Sequence, residues 1–593
     1  MAAFSKRLLV LALVLAALSL AGGTAYAQFH PGVNASLSCQ AFAVPAQSRA
    51  EGIAELLGDV VAQCRLADNV TTGFPPTLNA NVAVTLNVNV TNNRDFGLGG
   101  EVTDAVLLVN EVYGPSPITP TAASTLSGTP NTPLPQYGTR TSTNRLEWNG
   151  AILPVPVVQN NPATLVLRIT NMRGNVSQLG IPQGEGVFPT AQVTAFLSIA
   201  SQTAIPVTNN VLNIGIPLLG LLTRFRGSDQ ADVTLPIVAL LCITQNVDGD
   251  NYIVLAAGGS FSIRLSEGYA SSFKTLGTPT VTPASAQVED GFPTPPSGVN
   301  QGGATQGTRF IIRFYNVPNG VRLATPTVLT GTSAGGHILT IWKVAGTDAA
   351  GAGALNTSLA PPTEVTITGG FGYVIYEVID DNPFAVENVV VPVTVAYKAN
   401  TANDLPAVGT LQASAAFAPL STVTTANKDA PEPRFVDTGS NRSMYTIARC
   451  TTNLLFPFVT NQGGFDTGLA ISNTTRDDKG TTAQAGACTL YYFGSTTGGG
   501  AAPPQQTSAI VPAGGQIVWT LSGGNSAANI AATQGFQGYL MALCQFQFAH
   551  GFAFITDGFG GVPTIAEGYL ALVVPWNGVA GGRAADGGES LGH

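Results

Sequence analysis

The stretch from Asn81 to Thr91, NVAVTLNVNVT, carries the fold in its spacing. Val82, Val84, Leu86, Val88 and Val90 fall on one side, with Asn81, Ala83, Thr85, Asn87, Asn89 and Thr91 on the other. Successive side chains of a β-strand point to opposite faces, so an alternation this long, rich in β-branched residues, specifies a half-buried strand. The same signal recurs outward from it. Ala105–Tyr113, Thr164–Thr170, Gln192–Ile199, Val238–Thr244, Tyr252–Ala256, Phe310–Tyr315, Ile338–Val344, Tyr373–Val378 and Val389–Tyr397 are all expected strands. Several of them run into an asparagine, at Asn92, Asn171, Asn316 and Asn473. Asparagine tolerates the left-handed backbone and bonds its own chain, so it is a physical stop for a strand. Trp148-Asn149-Gly150 reads as a tight turn. Ile53, Leu56, Leu57, Val60, Val61 and Cys64 have helical spacing, but Gly52 and Gly58 oppose a helix and Val60, Ala62 and Cys64 alternate, which favours a strand.

The first residues carry Lys6 and Arg7, an apolar run from Leu8 to Leu20, and Ala25-Tyr26-Ala27 before Gln28. This order is that of a secretory signal peptide cut after Ala27, and the apolar run is too short for a bilayer span. The expected division is a signal peptide over 1–27, an N-terminal β-sandwich region of one or two domains over 28–230, and a middle sandwich over 231–420. A linker over 421–444, a C-terminal sandwich over 445–575 and a flexible tail over 576–593 complete it. The fold class is all-β, with tandem immunoglobulin-like sandwiches.

Charged residues are only 10% of the chain and apolar residues 45%, so the polar surface must be built from Thr, Ser, Asn and Gln. A net charge of −9 argues against nucleic acid as a partner. Six cysteines in an exported chain imply disulfides. Sequence neighbourhood favours Cys39–Cys64, Cys488 and Cys544 lie on expected strands of one domain, and Cys242–Cys450 is left by elimination.

No constellation with chemistry survives its context. Gly331-Thr332-Ser333-Ala334-Gly335 matches a nucleophile elbow, with Asp380 or Asp381 and His550 following, but that motif needs a strand-to-helix turn and HILTIWKV reads as a strand. His30, His337, His550 and His593 are scattered without metal-ligand spacing. Asn246, Asp248 and Asp250 resemble the start of a calcium loop without its glycine and distal glutamate. The acidic pairs Asp380-Asp381 and Asp477-Asp478 are expected as solvated turn carboxylates. We therefore expect no enzyme, no cofactor and no metal. Trp148, Trp342, Tyr491 and Tyr492 could stack on sugars, although each is more simply a core or strand residue.

LLFPFVTNQGGFDTGLAISNT, CTLYYFG and FQGYLMALCQFQFAHGFAFI in the last block, and RAEGIAELLGDVVAQC near the start, resemble uncharacterised exported proteins of soil and aquatic bacteria. The resemblance covers about a third of the chain. It implies an immunoglobulin-like sandwich and a cell-surface or extracellular location, and it brings no activity and no catalytic residues. The expectation is a structural protein whose partners are other copies of itself, a fibre or surface-layer subunit joined by strand pairing through residues 28–45 or 421–445. The alternative is an adhesin or carbohydrate-binding protein.

Overall fold

The computed structural model describes residues 37–66, 77–92, 101–110, 136–154, 164–182, 191–228, 234–240, 259–276, 288–289, 304–331, 339–353, 363–397, 407–449, 451–476, 483–558, 561 and 564–574. The described chain is all-β, with two short 3-10 turns and no helix long and apolar enough to cross a membrane.

Three separate hydrophobic cores define three bodies. The first is an 11-stranded sheet that folds back on itself, with strand Leu37–Ala43 coming against Val211–Leu218. Strand Thr77–Leu86, which holds the first half of the stretch from Asn81 to Thr91, lies in it between Arg145–Pro154 and Val193–Ser201. Val82, Val84, Leu86, Val88 and Val90 are all buried, while Asn81 and Asn87 are exposed. The regular strand is Thr77–Leu86, shorter at its end than the alternation, although Val88 and Val90 still enter the core. Residues Val60–Leu66 form a strand, not a helix. Trp148-Asn149-Gly150 is not a turn. It lies inside strand Arg145–Pro154, where Asn149 and Gly150 together oppose Asn81 as a bulge, Gly150 has φ 71°, and its N–H donates to Asn81 Oδ1 at 2.9 Å.

The chain leaves the first body between Leu218 and Leu221. The second body packs a five-stranded sheet on a seven-stranded one around Phe261, Ile263, Phe310, Phe314, Tyr376 and Phe417. The third packs a six-stranded sheet, centred on Phe536–Cys544 and Thr452–Thr460, on a four-stranded sheet built on Asp466–Asn473. Two disulfides each join residues directly opposite on neighbouring strands, Cys39–Cys64 and Cys488–Cys544. Cys242 and Cys450 lie outside the described residues. The parallel pairing of Ile237–Leu240 with Tyr445–Ala448 runs to two residues short of each.

The first and second bodies meet on buried charge. Arg49 Nε donates to Glu55 Oε1 at 2.9 Å, and Nη1 and Nη2 reach the two oxygens of Glu289 at 2.7 and 3.0 Å. Thr308 Oγ1 and the Ser272 carbonyl accept further bonds from Nη1. The guanidinium carbon lies 4.7 Å from the centre of the Phe435 ring and 5.6 Å from that of Phe417, cation–π contacts with two rings that stack on each other. Burial opposes the charge on Arg49, but Glu289 and Glu55 outweigh it and raise the pKa. Around it, Glu51 accepts from the amides of Gly220 and Leu221, and Arg173 pairs with Glu432 at 3.7 Å. The Ile53 amide donates to the Arg434 carbonyl at 2.8 Å. A Cβ at Gly220 would stand 2.6 Å from Arg49 Cγ, so only glycine lets the chain cross here. Residues 421–436 lie across both bodies. Asn89 and Asn175 bond the Thr424 carbonyl, and Phe435 is fully buried in the second core.

Removing Arg49 strands two buried carboxylates, so Arg49→Met should cost about 3–5 kcal/mol. Arg322→Met, which breaks a half-exposed pair with Glu364, should cost about 1 kcal/mol or less. Urea unfolding of the exported chain checks the contrast, and equal midpoint shifts for the two variants would refute it.

Candidate functional site

The residues singled out for catalysis do not assemble. Ser333, His337, His30, His593, Asn246, Asp248, Asp250 and Asp477-Asp478 lie outside the described residues. His550 is exposed on strand Ala549–Thr556, opposite Ser472. No group of three or more metal-type ligands occurs among the described residues. Asp381 corrects the expectation of a solvated turn. It is 2% exposed, near Glu387, Asp380 and Glu267, and burial first, then repulsion from Glu387 and Asp380, pushes its pKa up to about 8. Glu267 is likewise pushed up to about 8, first by burial. The oxygens of this cluster hold main-chain amides in place. Glu267 accepts from Phe273 and Glu387 at 2.8 and 2.9 Å, and Glu387 accepts from Leu339 and Asn382 at 3.0 and 2.6 Å. Three loops are thereby tied to one end of the second body, which is a structural role.

The four aromatics singled out for sugar stacking lie on strands, as core or strand residues. Trp148 and Tyr492 are buried, and Trp342 and Tyr491 are half-buried. The exposed aromatic pair is instead Phe493 and Tyr539, directly opposite on neighbouring strands, stacked at 4.9 Å and 14°. Strict alternation hides such a pair, because one face of each strand must be apolar anyway and the outer row resembles it.

Among the described residues, the C-terminal sandwich is open along one side. Strand Thr452–Thr460 pairs with Leu572–Val574 through Asn453–Leu455. Beyond that point the register slips between Phe456 and Val459, so Pro457 and Phe458 together oppose Tyr539. This bulge leaves Phe458 48% exposed. Facing it, Ala566–Leu570 ends the four-stranded sheet. Between them lies a cleft of roughly 480 Å³ lined by Phe458, Phe465, Ile555, Ile565, Glu567 and Tyr569. The Tyr569 hydroxyl donates to the Phe458 carbonyl and bridges the two walls. Ile565, Glu567 and Tyr569 alternate onto one side, and Tyr569 packs on the core while Ile565 is 57% exposed. The row is continuous with the sandwich interior, yet its outer end is uncovered.

A further feature bears on surfaces. Fifteen charged residues of the described chain are buried, among them Arg49, Arg173, Glu289, Arg309, Glu377 and Glu387, out of 25 Lys and Arg and 34 Asp and Glu in all. Those charges are withdrawn from the exterior.

No protein-family model matches the chain, and no curated protein is similar to it. Among solved structures it is similar to a biofilm-associated protein's BSP domain, at 8% identity over 92% of this chain and 83% of that one, with a TM-score of 0.15. It is also similar to the T6 backbone pilin of serotype M6 Streptococcus pyogenes, at 10% identity over 90% and 80%, TM-score 0.16. A third is the CupB6 tip adhesin from Pseudomonas aeruginosa, at 9% identity over 70% and 99%, TM-score 0.14. All three are weak neighbours, and scores this low do not establish a shared fold.

The carboxylate cluster yields a pH dependence with a definite sign. Asp381 has a folded pKa of about 8 against an ordinary value of 3.8, so the folded state holds a proton that the unfolded chain releases. Its contribution to stability is complete below the ordinary value and is lost as pH rises through about 8. Glu387, Asp380, Glu267, Lys274 and the Thr275 amide are the groups that face it. Asp381→Asn, which mimics the protonated form, should flatten the fall in the urea midpoint across that window, and an unchanged slope would refute the assignment.

Proposed function

We propose that the chain is an exported structural protein that assembles with copies of itself, as a fibre or surface layer outside the cell, through the open side of its C-terminal sandwich. The observation that carries this reading is the cleft between Phe458 and Ile565, an apolar row ending beside a sheet-edge strand. Sheet edges left bare are templates for pairing with another chain, and strand addition at such an edge combines main-chain hydrogen bonds with pockets for alternate side chains. The charge-poor exterior supports it, since repulsion between copies is weak. The two disulfides suit an oxidising compartment, in keeping with the signal peptide read at residues 1–27. The chain is proposed to act without catalysis.

The disulfide narrows the mechanism. Leu37–Ala43 is paired with Val60–Leu66 along its whole length and bonded to it through Cys39–Cys64. It cannot leave its own sheet while oxidised, so the exchanged part of residues 28–45 must precede Leu37. Arg442–Ala448 likewise pairs with Gly409–Ala418 and Ile237–Leu240 in its own body.

One observation favours a second reading, as an adhesin or carbohydrate-binding protein. The stacked Phe493–Tyr539 pair, 40% and 39% exposed, offers a flat aromatic surface. Glycan binding by the monomer that Phe493→Ala abolishes would favour it.

For the assembly reading, Ile565→Arg places a charge at the mouth of the cleft without touching the core. Sedimentation velocity over a concentration series should show large species for the unaltered exported protein and a single monomer for the variant, with the same circular dichroism. Identical association by both would remove the cleft from the mechanism.

A further inference from the structure

Resting on that reading of the cleft, we infer that its occupant is the segment 28–36 of a second copy, added as a strand to Ala566–Leu570. The segment, QFHPGVNAS, lies outside the described residues. Its sequence alternates: Phe29, Pro31, Val33 and Ala35 are apolar, while Gln28, His30, Gly32, Asn34 and Ser36 are polar or small. This is the phase that continues into the buried Leu37, Cys39 and Ala41 of the first strand. It is a strand pattern with one face to bury. The register of the first strand on its neighbour ends at Leu37 opposite Leu66, the outermost residues of the two strands.

The two walls of the cleft are not equal as templates. On one, Pro457 has no N–H, the Thr460 N–H donates to Thr467 Oγ1, and the Phe458 carbonyl accepts from Tyr569. On the other, Ala566–Leu570 carries no proline and pairs with Ala549–Thr556 on one side as the end of its sheet. Addition is therefore to Ala566–Leu570. Pro31 then fixes the arrangement. Because it cannot donate, the even-numbered residues must make the ladder, and the odd-numbered amides face away. The odd-numbered side chains turn inward, onto the row of Ile565, Glu567 and Tyr569.

Reach and charge agree with this assignment. Nine extended residues span about 30 Å, and they start from a point fixed by Cys39–Cys64. Glu567 faces the cleft, and an inward-pointing charge on an edge strand discourages indiscriminate pairing. Residues 28–36 contain neither Asp nor Glu, so they meet it without repulsion. The segment at the other end of the sequence, 575–593, has no sustained alternation and carries Asp586 and Glu589.

The test compares the exported full chain with a variant lacking residues 28–36 behind the same signal peptide, with Val33→Asp, and with Ile565→Arg. Sedimentation gives the size, and a synthetic peptide of residues 28–36 is titrated into the deletion variant. The inference predicts association for the unaltered chain only. It also predicts peptide binding by the deletion variant that Ile565→Arg in the same background weakens by an order of magnitude or more. Val33→Asp changes no residue that lines the cleft, so its loss of association reports on the segment itself. If the deletion and Val33→Asp variants still associate while Ile565→Arg does not, another segment fills the cleft. That result overturns this inference and leaves the proposed function standing. If Ile565→Arg associates as well, or if the unaltered chain stays monomeric throughout, both fall.

Discussion

The architecture depends on a charge that cannot be left alone. Arg49 is wholly buried where the first two bodies meet, and its compensation comes from Glu55, six residues away, and Glu289, 240 residues away. Glu55 belongs to the same body as Arg49, but Glu289 comes from the other, so separating the bodies breaks a bidentate pair and costs free energy. The aromatic rings of Phe417 and Phe435 close over the guanidinium, and Thr308 and the Ser272 carbonyl take its remaining hydrogens. A chain that has few charges thus uses many of them inside. The polar seam fixes the relative register of two hydrophobic cores, which non-directional apolar contact alone does less sharply.

That internal use of charge has an external consequence. The exterior carries the remaining charges among uncharged polar residues, with exposed apolar residues such as Phe458, Ile565, Leu570 and Phe552 on the C-terminal sandwich. The first body protects its edge by closing on itself and by a disulfide across Leu37–Ala43. Among the described residues, the last body leaves an edge uncovered beside an apolar cleft. One end is held shut and the other left open, an asymmetry suited to head-to-tail addition, in which a surface of one copy meets a different surface of the next.

Much of the fold could be read from alternation alone. Val82 to Val90 all enter the core, and Thr164–Thr170 is a strand with the expected ends. The asparagine stops were legible as well, but they work in two ways. Asn171 and Asn316 take the left-handed backbone, with φ 58° and 54°. Asn92 and Asn473 are instead buried and bond the main chain of neighbouring segments through their side chains, Asn92 accepting from Arg173 N–H and Asn473 donating to the carbonyls of Gln484 and Val511. What sequence hid was long-range. Nothing near Arg49 in the chain announces Glu289, Asp381 reads as a turn residue until Glu387 and Glu267 are placed around it, and the Trp148 bulge looks like a turn because glycine serves both. The cleft was equally invisible, since Pro457-Phe458 reads as part of one continuous strand until its partner shows the slipped register.

The most direct test of the account is electron microscopy of the protein as exported, without refolding. Regular filaments or sheets with a constant repeat are the result it predicts. Separate particles at every concentration, with the cleft unaltered, would contradict it.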